Sequence, residues 1–383
     1  YFETGKMGVD AWQGNWISDH HDCKHQPAPY FRKKFSVGKP VRSARIYVAV
    51  AGLYQLHLNG RRLGDTMLDP VYTRFDRRNM YVTYDVTSAI KQNENVVGIV
   101  LGNGWYNHQP LAVWNFEMAP WRNRPAFCMD LHLTYEDGSE ETVCTDYGWR
   151  TTDGGAWRKN NIYTGEFYDF SMQMEGWDKP GYDDSKWGGV RLRQAPSAQV
   201  TSQQMRPIRA CREYPAVKFA QLSDNAYLYD FGYNMAGVTR FRLKGAKGRL
   251  DQSNIDVYYR GDKETDPFQT DVLTLSGGED EFMARFNYKG FRYAQVEASA
   301  PVEIDKESMV ACFVHSDVPQ VGEVRSSNKL IEGLMAASNQ AYLSNLMGYP
   351  TDCPQREKNG WTGDGHLAIE AALYNFDGIT VYE

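Results

Sequence analysis

Residues 46–63 have the sequence IYVAVAGLYQLHLNGRRL, and this stretch decides the fold class of the first part of the chain. Apolar side chains occupy every second position in two successive runs, namely Ile46, Val48 and Val50, and then Tyr54, Leu56 and Leu58. Such alternation is typical of strands that bury one face, because successive side chains point to opposite faces. Asn59-Gly60 follows and favours a type I′ hairpin turn, in which both central residues need positive φ. The stretch therefore predicts neighbouring strands that end in a tight hairpin.

Further strands are predicted downstream of this hairpin. Residues 94–101 end in a compact apolar run, which predicts a buried strand, and residues 127–135 alternate up to a turn at Asp137-Gly138. Gly102-Asn103-Gly104 lacks the third glycine and the following helix of a nucleotide-binding loop, so it predicts only a tight turn that leaves a strand. Short strands at this spacing indicate an antiparallel β-sandwich.

A second group of strands begins near Arg206-Pro207. Its strands are predicted at residues 227–229, 239–243, 255–259 and 282–286. Residues 194–204 are polar and include Pro196, so we place a domain boundary there. The predicted fold is thus an N-terminal antiparallel β-sandwich of the carbohydrate-binding type in residues 1–205 and a second one in residues 206–318.

The hydrophobic period changes to that of helices in residues 319–383. Ser326 or Ser327 is the predicted N-cap of a first helix. Its apolar face is predicted to consist of Leu330, Ile331, Leu334, Ala341 and Leu346. A second helical pattern runs through Leu367, Ala371, Ala372 and Phe376. Because two helices do not make a domain core, we expect this third domain to be cut short in the chain.

Composition excludes several classes of function. The chain has 383 residues and a formal net charge of −6 without a basic stripe, which argues against nucleic-acid binding. It contains no apolar run of the roughly 18 residues that a membrane span needs, and no charged, apolar leader. Its six cysteines are scattered without a C-x-x-C pair, which argues against a zinc cage. His20, His21 and His25 cluster near Cys23, where a polar loop is favoured over a metal site.

Residues 349–364 place three carboxylates, an arginine and a tryptophan between the two predicted helices. Glycoside cleavage needs a carboxylic acid to protonate the leaving oxygen, and further polar groups to hold the sugar. Each residue also has a simpler interpretation: Glu357 as a solvated loop residue, Asp364 as a helix cap, and Trp361 as a core residue. Residue types alone favour these simpler interpretations.

The same loop resembles the catalytic-loop signature of the bacterial α-L-rhamnosidase family. The resemblance rests on Asp352-Cys-Pro-Gln-Arg356 followed by Gly360-Trp-Thr-Gly-Asp364. Other segments resemble the β-domains of that family, in the family's order, over nearly the whole chain. They are residues 58–65, 84–87, 101–106, 177–187, 229–237 and 288–293.

The resemblance implies β-sandwich domains followed by an (α/α)6 barrel, of which residues 319–383 are the start. It implies hydrolysis of terminal, non-reducing α-L-rhamnose from plant-type polysaccharides or glycosides, with inversion and with neither cofactor nor obligatory metal. Carried over by position, Glu357 is the general acid. The residues implied to contact rhamnose or to orient the acid are Asp352, Arg356, Trp361 and Asp364. A rhamnose-containing carbohydrate is the expected partner, a periplasmic or secreted location is implied, and a homodimer is left open.

One departure concerns the acid itself. The family's loop commonly carries two acidic residues between the arginine and the Gly-Trp pair, whereas only Glu357-Lys358-Asn359 stands there in this chain. Glu357 matches either acidic position and is the only carboxylate between Arg356 and Gly360. The family's general base lies farther downstream, so we expect it beyond residue 383 and expect the chain alone to be inactive.

Two other functions remain open. One is a non-catalytic carbohydrate-binding protein, and the other is an inverting glycosidase of the same barrel type that acts on a different sugar. An acidic loop between helices disfavours the first, and the loop signature disfavours the second.

Overall fold

The structure is a computed structural model, which describes residues 5–6, 11–109, 114–245, 248–253 and 267–382. The chain forms two compact units. Unit 1 comprises residues 1–109, 116–161 and 172–203, and unit 2 comprises residues 110–115, 162–171 and 204–383. Two short segments from the first half of the sequence therefore belong to unit 2. The predicted strand at residues 255–259 lies outside the described residues, and the domain bounds drawn from the sequence stay predictions.

The regular elements are mostly strands. The first twelve strands are β1 Trp16–Ser18, β2 Tyr30–Val37, β3 Val41–Ala51, β4 Leu53–Leu58, β5 Arg61–Arg62, β6 Asn79–Asp85, β7 Asn93–Gly102, β8 Ala126–Tyr135, β9 Glu140–Cys144, β10 Arg150–Thr152, β11 Trp157–Asn161 and β12 Gly165–Asp169. The next twelve are β13 Gly188–Gly189, β14 Arg191–Arg193, β15 Val200–Ser202, β16 Ile208–Pro215, β17 Lys218–Ser223, β18 Ala226–Gly245, β19 Arg249–Ser253, β20 Asp271–Thr274, β21 Glu279–Met283, β22 Lys289–Ala298, β23 Val302–Glu303 and β24 Met309–Ser316. The α-helices are α1 Lys329–Ser344 and α2 Thr362–Asn375.

Unit 1 is built on two β-sheets. One has the strand order β14-β1-β8-β3-β6-β15 with β9 paired to β8, and the other has the order β13-β10-β2-β7-β4-β5. Buried apolar side chains from both sheets form a single cluster. It includes Ile17, Phe31, Ile46, Val48, Leu56, Val97, Ile99, Phe127, Leu131 and Trp149. Removal of these side chains from water is the main stabilisation of the unit, at roughly 1.5–3 kcal/mol for each large one.

The hairpin predicted from residues 46–63 is confirmed. Asn59 and Gly60 have φ values of 53° and 84° and connect β4 to β5, which is the left-handed backbone that a type I′ turn requires. The buried strand predicted at residues 94–101 is β7, which ends at Gly102. Gly104, with φ 50°, lies in the turn that follows.

Unit 2 contains a sheet with the order β12-β20-β19-β22-β18-β24-β16, and β17, β21 and β23 also pair with β18. The strands predicted at residues 227–229 and 239–243 are two parts of β18, whose register with β22 shifts between Asp230 and Met235. The Asp230 carboxylate accepts hydrogen bonds from the Gly232 main-chain N at 2.8 Å and from Arg292 Nε at 2.8 Å. The irregularity is thus stabilised by a carboxylate, and one long strand replaces two short ones.

The expectation of purely antiparallel sheets is wrong at two strand pairs. β6 pairs in parallel with β15, and β12 pairs in parallel with β20. Parallel neighbours need a long connection, and about a hundred residues separate the strands of each pair in the sequence. The other pairs within each unit that the structure describes run antiparallel. The two parallel pairs therefore join strands that are far apart in the sequence.

Helix α1 begins later than predicted. Its N-cap is Asn328, whose side chain accepts a hydrogen bond from the Leu330 main-chain N at 3.0 Å, so the prediction of Ser326 or Ser327 is wrong. Ser326 instead accepts from the main-chain N of Asn328 at 3.1 Å and shapes the turn before the helix. None of the helices in the described residues is long and apolar enough to cross a bilayer.

The predicted apolar face of α1 is only partly buried. Leu330 and Leu334 are 78% and 64% exposed, and Leu346 lies beyond the helix end. A small cluster of Val318, Leu346 and Phe376, flanked by Tyr342, packs where the ends of the two helices meet. The fold is therefore rich in β-sheet, and its two α-helices follow the last strand in the sequence.

Candidate functional site

The acidic loop, defined here as residues 349–361, lies in the connection from α1 to α2, and hydrogen bonds join its two ends. The Asp352 main-chain N donates to the Asn359 carbonyl at 3.1 Å. In return, the Asn359 main-chain N donates to Asp352 Oδ1 at 3.1 Å. The Thr351 main-chain N donates to the Asn345 carbonyl at 2.7 Å, which ties the loop to the end of α1. The bonds between Asp352 and Asn359 thus hold the two ends of the loop together.

Glu357 lies half-buried in this loop and contacts Trp361 directly. The indole Nε1 of Trp361 donates to Glu357 Oε2 at 2.9 Å. Tyr163, from the short segment that joins unit 2, donates its hydroxyl to the Glu357 carbonyl at 2.6 Å. Both the main chain and the carboxyl of Glu357 are therefore held in a fixed orientation.

Lys358 is fully buried and has a φ of 52°, which is uncommon outside glycine. Its Nζ donates to the carbonyl of Ile162 at 2.6 Å and to the carbonyl of Tyr288, and it lies 4.1 Å from the Tyr288 ring centroid. Burial, followed by the nearby charge of Lys289, lowers the pKa of Lys358 well below its ordinary value. Lys358 thus anchors the acidic loop to main-chain carbonyls from inside the unit.

Gly290 and the neighbouring Lys289, both in β22, lie beside the acidic loop. A Cβ added at Gly290 would lie 2.9 Å from Cγ of Pro354 and 3.1 Å from the main-chain N of Gln355. Only glycine leaves room for the loop at this point. Lys289, next to Gly290, forms a buried ion pair with Asp271 at 2.6 Å.

Cys353 connects Asp352 to Glu357 within the acidic loop. Its Sγ donates to Asp352 Oδ2 at 2.9 Å and accepts from the Glu357 main-chain N at 3.4 Å. Burial, and then this bond to Asp352, raise the pKa of the Cys353 thiol. A neutral thiol is the form that donates to a carboxylate, so the geometry and the direction of the shift agree.

A cavity of 430 Å³ lies between α1 and α2. Asp352 and Asp364 are its two carboxylates, and most of the remaining wall is apolar. Among its lining residues are Met335, Ala341, Tyr342, Leu367, Ala368 and Phe376. Such a wall suits a ligand that carries both hydroxyl groups and an apolar group.

The structure separates the predicted site residues into two sets. Asp352 and Asp364 line the cavity, whereas Glu357 and Trp361 contact each other and are not among its described lining residues. Arg356 is half-buried in the same loop. The alternative role of Asp364 as a helix cap is wrong, because Trp361 occupies the N-cap position of α2 and Asp364 lies in its first turn.

Sequence reasoning missed three residues around the loop. Lys358 was recognised only as a neighbour of Glu357, and Tyr163 comes from a segment with no motif of its own. Trp114, which is 38% exposed, packs edge to face on Trp361 with ring centroids 5.2 Å apart. Trp361 is itself 41% exposed, so the two rings present aromatic surface to solvent.

Three family profiles match the chain in consecutive order. The alpha-L-rhamnosidase N-terminal domain matches residues 39–212, and the bacterial alpha-L-rhamnosidase concanavalin-like domain matches residues 220–315. The bacterial alpha-L-rhamnosidase 6 hairpin glycosidase domain matches residues 319–383. Together the three profiles account for most of the chain.

Individual relatives agree with these profiles. An alpha-L-rhamnosidase of Formosa agariphila is 29% identical over 100% of this chain and 44% of its own length, and one of Alteromonas sp. is 31% identical over 98% and 43%. The structure of alpha-L-rhamnosidase from Dictyoglomus thermophilum superposes with a TM-score of 0.90 at 33% identity, over 100% of this chain and 44% of that one. The Streptomyces avermitilis enzyme complexed with L-rhamnose gives 0.86 at 30% identity, over 94% and 35%. The chain spans less than half the length of these relatives.

Proposed function

The chain belongs to the bacterial α-L-rhamnosidase family, and we propose that it is part of an enzyme that hydrolyses terminal, non-reducing α-L-rhamnose residues with inversion. Plant-type polysaccharides or glycosides are the proposed substrates. The single observation that carries the proposal is the orientation of Glu357 by the Trp361 indole at 2.9 Å, inside the loop that resembles the family's catalytic signature.

We assign α1 and α2 to the start of an (α/α)6 barrel. The profile for the 6 hairpin glycosidase domain over residues 319–383 supports this assignment. The order of the elements, with α1 followed by the acidic loop and then α2, is also the order within one helical hairpin. In this arrangement the loop lies at the barrel end where the substrate binds.

In the proposed reaction, Glu357 donates its proton to the glycosidic oxygen as the bond to the anomeric carbon breaks. The Trp361 N–H, bonded to Oε2, orients the carboxyl and stabilises the carboxylate that remains after proton transfer. Water attacks the opposite face of the sugar, activated by a second carboxylate about 6.5–9.5 Å from the first, so the anomeric configuration inverts. We assign that base to a part of the enzyme outside the acidic loop.

The remaining predicted residues have binding roles in the proposal. Asp352 and Asp364 accept hydrogen bonds from sugar hydroxyls, and the apolar wall between the helices faces the methyl group of rhamnose. Arg356 orients carboxylates of the loop by charge-assisted bonds. The exposed faces of Trp361 and Trp114 provide an apolar surface for the ring of the substrate.

The test uses the intact enzyme that contains this chain, with p-nitrophenyl α-L-rhamnopyranoside as substrate. Glu357→Gln is expected to lower kcat by about 10²–10⁴-fold, because the amide cannot donate the proton. Glu370→Gln, at an exposed position on α2, is the matched control and is expected to retain turnover. Proton NMR of the anomer formed first is expected to detect β-rhamnose.

Other outcomes would redirect the proposal. Near-normal turnover in Glu357→Gln removes the acid role from this residue. No release of rhamnose by the parent enzyme, with retained binding to rhamnose-rich glycans, favours a carbohydrate-binding protein. Faster release from another aryl glycoside favours a different sugar.

A further inference from the structure

The main chain of Glu357 is held by a residue that lies far from it in the sequence. Tyr163 is 4% exposed and donates its hydroxyl to the Glu357 carbonyl at 2.6 Å. The profile that matches residue 163 is that of the N-terminal domain, over residues 39–212, whereas Glu357 lies in the match to the 6 hairpin glycosidase domain, over residues 319–383. A residue from outside the helical domain therefore contacts the residue that we propose as the general acid.

A second bond runs in the opposite direction between the same two stretches of chain. Lys358 Nζ donates to the Ile162 carbonyl at 2.6 Å and lies 5.7 Å from the centroid of the Tyr163 ring. Ile162-Tyr163 and Glu357-Lys358 thus exchange two hydrogen bonds, each from a side chain to a main-chain carbonyl. One such bond leaves a peptide group free to rotate about it, whereas two fix both the position and the orientation of the peptide group between Glu357 and Lys358.

The sheet of unit 2 supports Tyr163 itself. The Tyr163 carbonyl accepts from the Gln269 main-chain N at 3.2 Å, and the Thr164 carbonyl accepts from the Thr270 main-chain N at 2.5 Å. Strand β12 begins two residues after Tyr163 and pairs with β20. Gln269 Oε1 also accepts from the Gly290 main-chain N at 2.9 Å, beside the acidic loop. The Tyr163 hydroxyl therefore extends from a backbone that is fixed independently of the acidic loop.

Three bonds together determine where the Glu357 carboxyl lies. Its Oε2 accepts from Trp361 Nε1 at 2.9 Å, and the Glu357 main-chain N donates to Cys353 Sγ at 3.4 Å. The Tyr163 bond, at 2.6 Å, is the shortest of the three and the one that comes from outside the acidic loop. A general acid must lie within about 2.6–3.2 Å of the oxygen that it protonates, so a small displacement of the carboxyl lowers the rate strongly.

We propose that Tyr163 is a positioning residue, which holds the Glu357 main chain so that the carboxyl reaches the glycosidic oxygen. The inference rests on the proposed function, because it takes Glu357 as the acid. A leaving group that departs as a stable anion needs little proton donation, whereas an electron-rich phenol needs it to depart. The loss caused by removal of the Tyr163 hydroxyl is therefore expected to grow as the leaving group becomes more basic.

The experiment uses the intact enzyme that contains this chain, with two aryl α-L-rhamnopyranosides. For Tyr163→Phe, we expect kcat to fall about 5- to 50-fold with the 4-methoxyphenyl glycoside but less than about twofold with the 2,4-dinitrophenyl glycoside, at nearly unchanged KM. Tyr229→Phe is the matched control, because Tyr229 is also buried and donates to a main-chain carbonyl, that of Asp305, at 2.7 Å. It is expected to keep parent turnover with both glycosides.

A double variant tests whether Tyr163 acts through Glu357. In the Glu357→Gln background, Tyr163→Phe is expected to lower turnover of the 4-methoxyphenyl glycoside by less than about twofold, because no acid remains to be positioned. Losses that multiply in the double variant overturn the inference. A Tyr163→Phe variant that loses both glycosides equally, whether folded or unfolded by circular dichroism, also overturns it, because Tyr163 then has only a structural role.

Glu357→Gln alone separates this inference from the proposed function. If this variant lowers turnover of the two glycosides equally, Glu357 is not the acid and the proposed function fails at that residue. If the loss in Glu357→Gln is selective for the 4-methoxyphenyl glycoside while Tyr163→Phe keeps parent turnover with both, Glu357 retains its role. In that case the inference about Tyr163 fails alone.

Discussion

Two loops in different units are each held by one buried cation, but the two cations have different partners. In the connection from β1 to β2, Arg124 donates to the carbonyls of His25 and Pro27 and also pairs with the Asp19 carboxylate. In the acidic loop, Lys358 donates to the carbonyls of Ile162 and Tyr288 and lies over an aromatic ring. Both cations satisfy main-chain acceptors that would otherwise be buried without donors.

The difference lies in how the charge is compensated. Arg124 has an opposite charge in bidentate contact, because its Nε and Nη2 donate to the two oxygens of Asp19. Lys358 is surrounded by carbonyl dipoles and rings, and its pKa falls because burial disfavours the ammonium ion. The first loop therefore depends on an ion pair, and the second depends on an amine whose protonation responds to its surroundings. Two substitutions test this contrast, and a third tests the bond that orients Glu357 in the second loop.

The largest effect is expected for Arg124→Met. The variant removes the partner of Asp19 and leaves a buried carboxylate uncompensated, which costs about 3–5 kcal/mol of unfolding free energy. Urea unfolding followed by tryptophan fluorescence measures it. Arg45→Met is the matched control, because its ion pair with Asp85 is partly exposed and is worth at most about 1 kcal/mol. Equal losses in the two variants would contradict the contrast.

An intermediate effect is expected for Lys358→Met, which leaves carbonyls without a donor at a cost of about 1–3 kcal/mol. Its signature is a dependence on pH. The pKa of Lys358 is lowered in the folded state, so between that pKa and the unfolded value of about 10.4 the unfolded chain binds more protons. The unfolding free energy of the parent then rises with pH over this interval.

The difference in unfolding free energy between parent and Lys358→Met is therefore expected to grow from neutral pH to about pH 9.5, which lies below the unfolded lysine pKa. Chemical unfolding at several pH values measures this difference, and the other titrating groups cancel because both proteins share them. Lys329→Met, at an exposed position on α1, should show no such trend. A constant or shrinking difference for Lys358→Met would show that its amine is not destabilised by burial.

The smallest effect is expected for Trp361→Phe in the intact enzyme. A smaller aromatic ring replaces the indole and the N–H that bonds Glu357 is lost, at about 0.5–1.5 kcal/mol, or roughly 2- to 12-fold in kcat. Trp114→Phe changes the neighbouring ring in the same way and serves as the control. Steady-state kinetics on the aryl rhamnoside measures both variants. If kcat is unchanged in Trp361→Phe, the indole contributes surface only.

The local parts of the fold were predictable from the sequence. Alternation and the Asn59-Gly60 turn predicted β4, β5 and the adjoining strands, because the signals lie within a few residues of one another. The helix start at Asn328 was missed because serine and asparagine cap helices about equally well, and the choice depends on which side chain reaches an N–H. The parallel pairs were missed because they join segments far apart in the chain.

The candidate site was predictable only as a list of residues. The resemblance of the loop supplied Glu357 and Trp361, but not their hydrogen bond. The anchoring of the loop was out of reach, because the Tyr163 hydroxyl and the Glu357 carbonyl are separated by 194 positions. Motifs identify chemical groups, whereas their positions depend on long-range packing.

Gly290 is a position at which the acidic loop limits which substitutions the protein tolerates. It lies in a strand that carries none of the proposed chemistry, yet any side chain there would meet Pro354 and Gln355. In a random library selected for activity, variants at position 290 would therefore be lost together with variants at Glu357. Nothing in the sequence next to Gly290 explains that loss. Neutral drift can change the exposed residues of the acidic loop, but the residue beneath the loop has no smaller alternative, so it constrains how the loop can evolve.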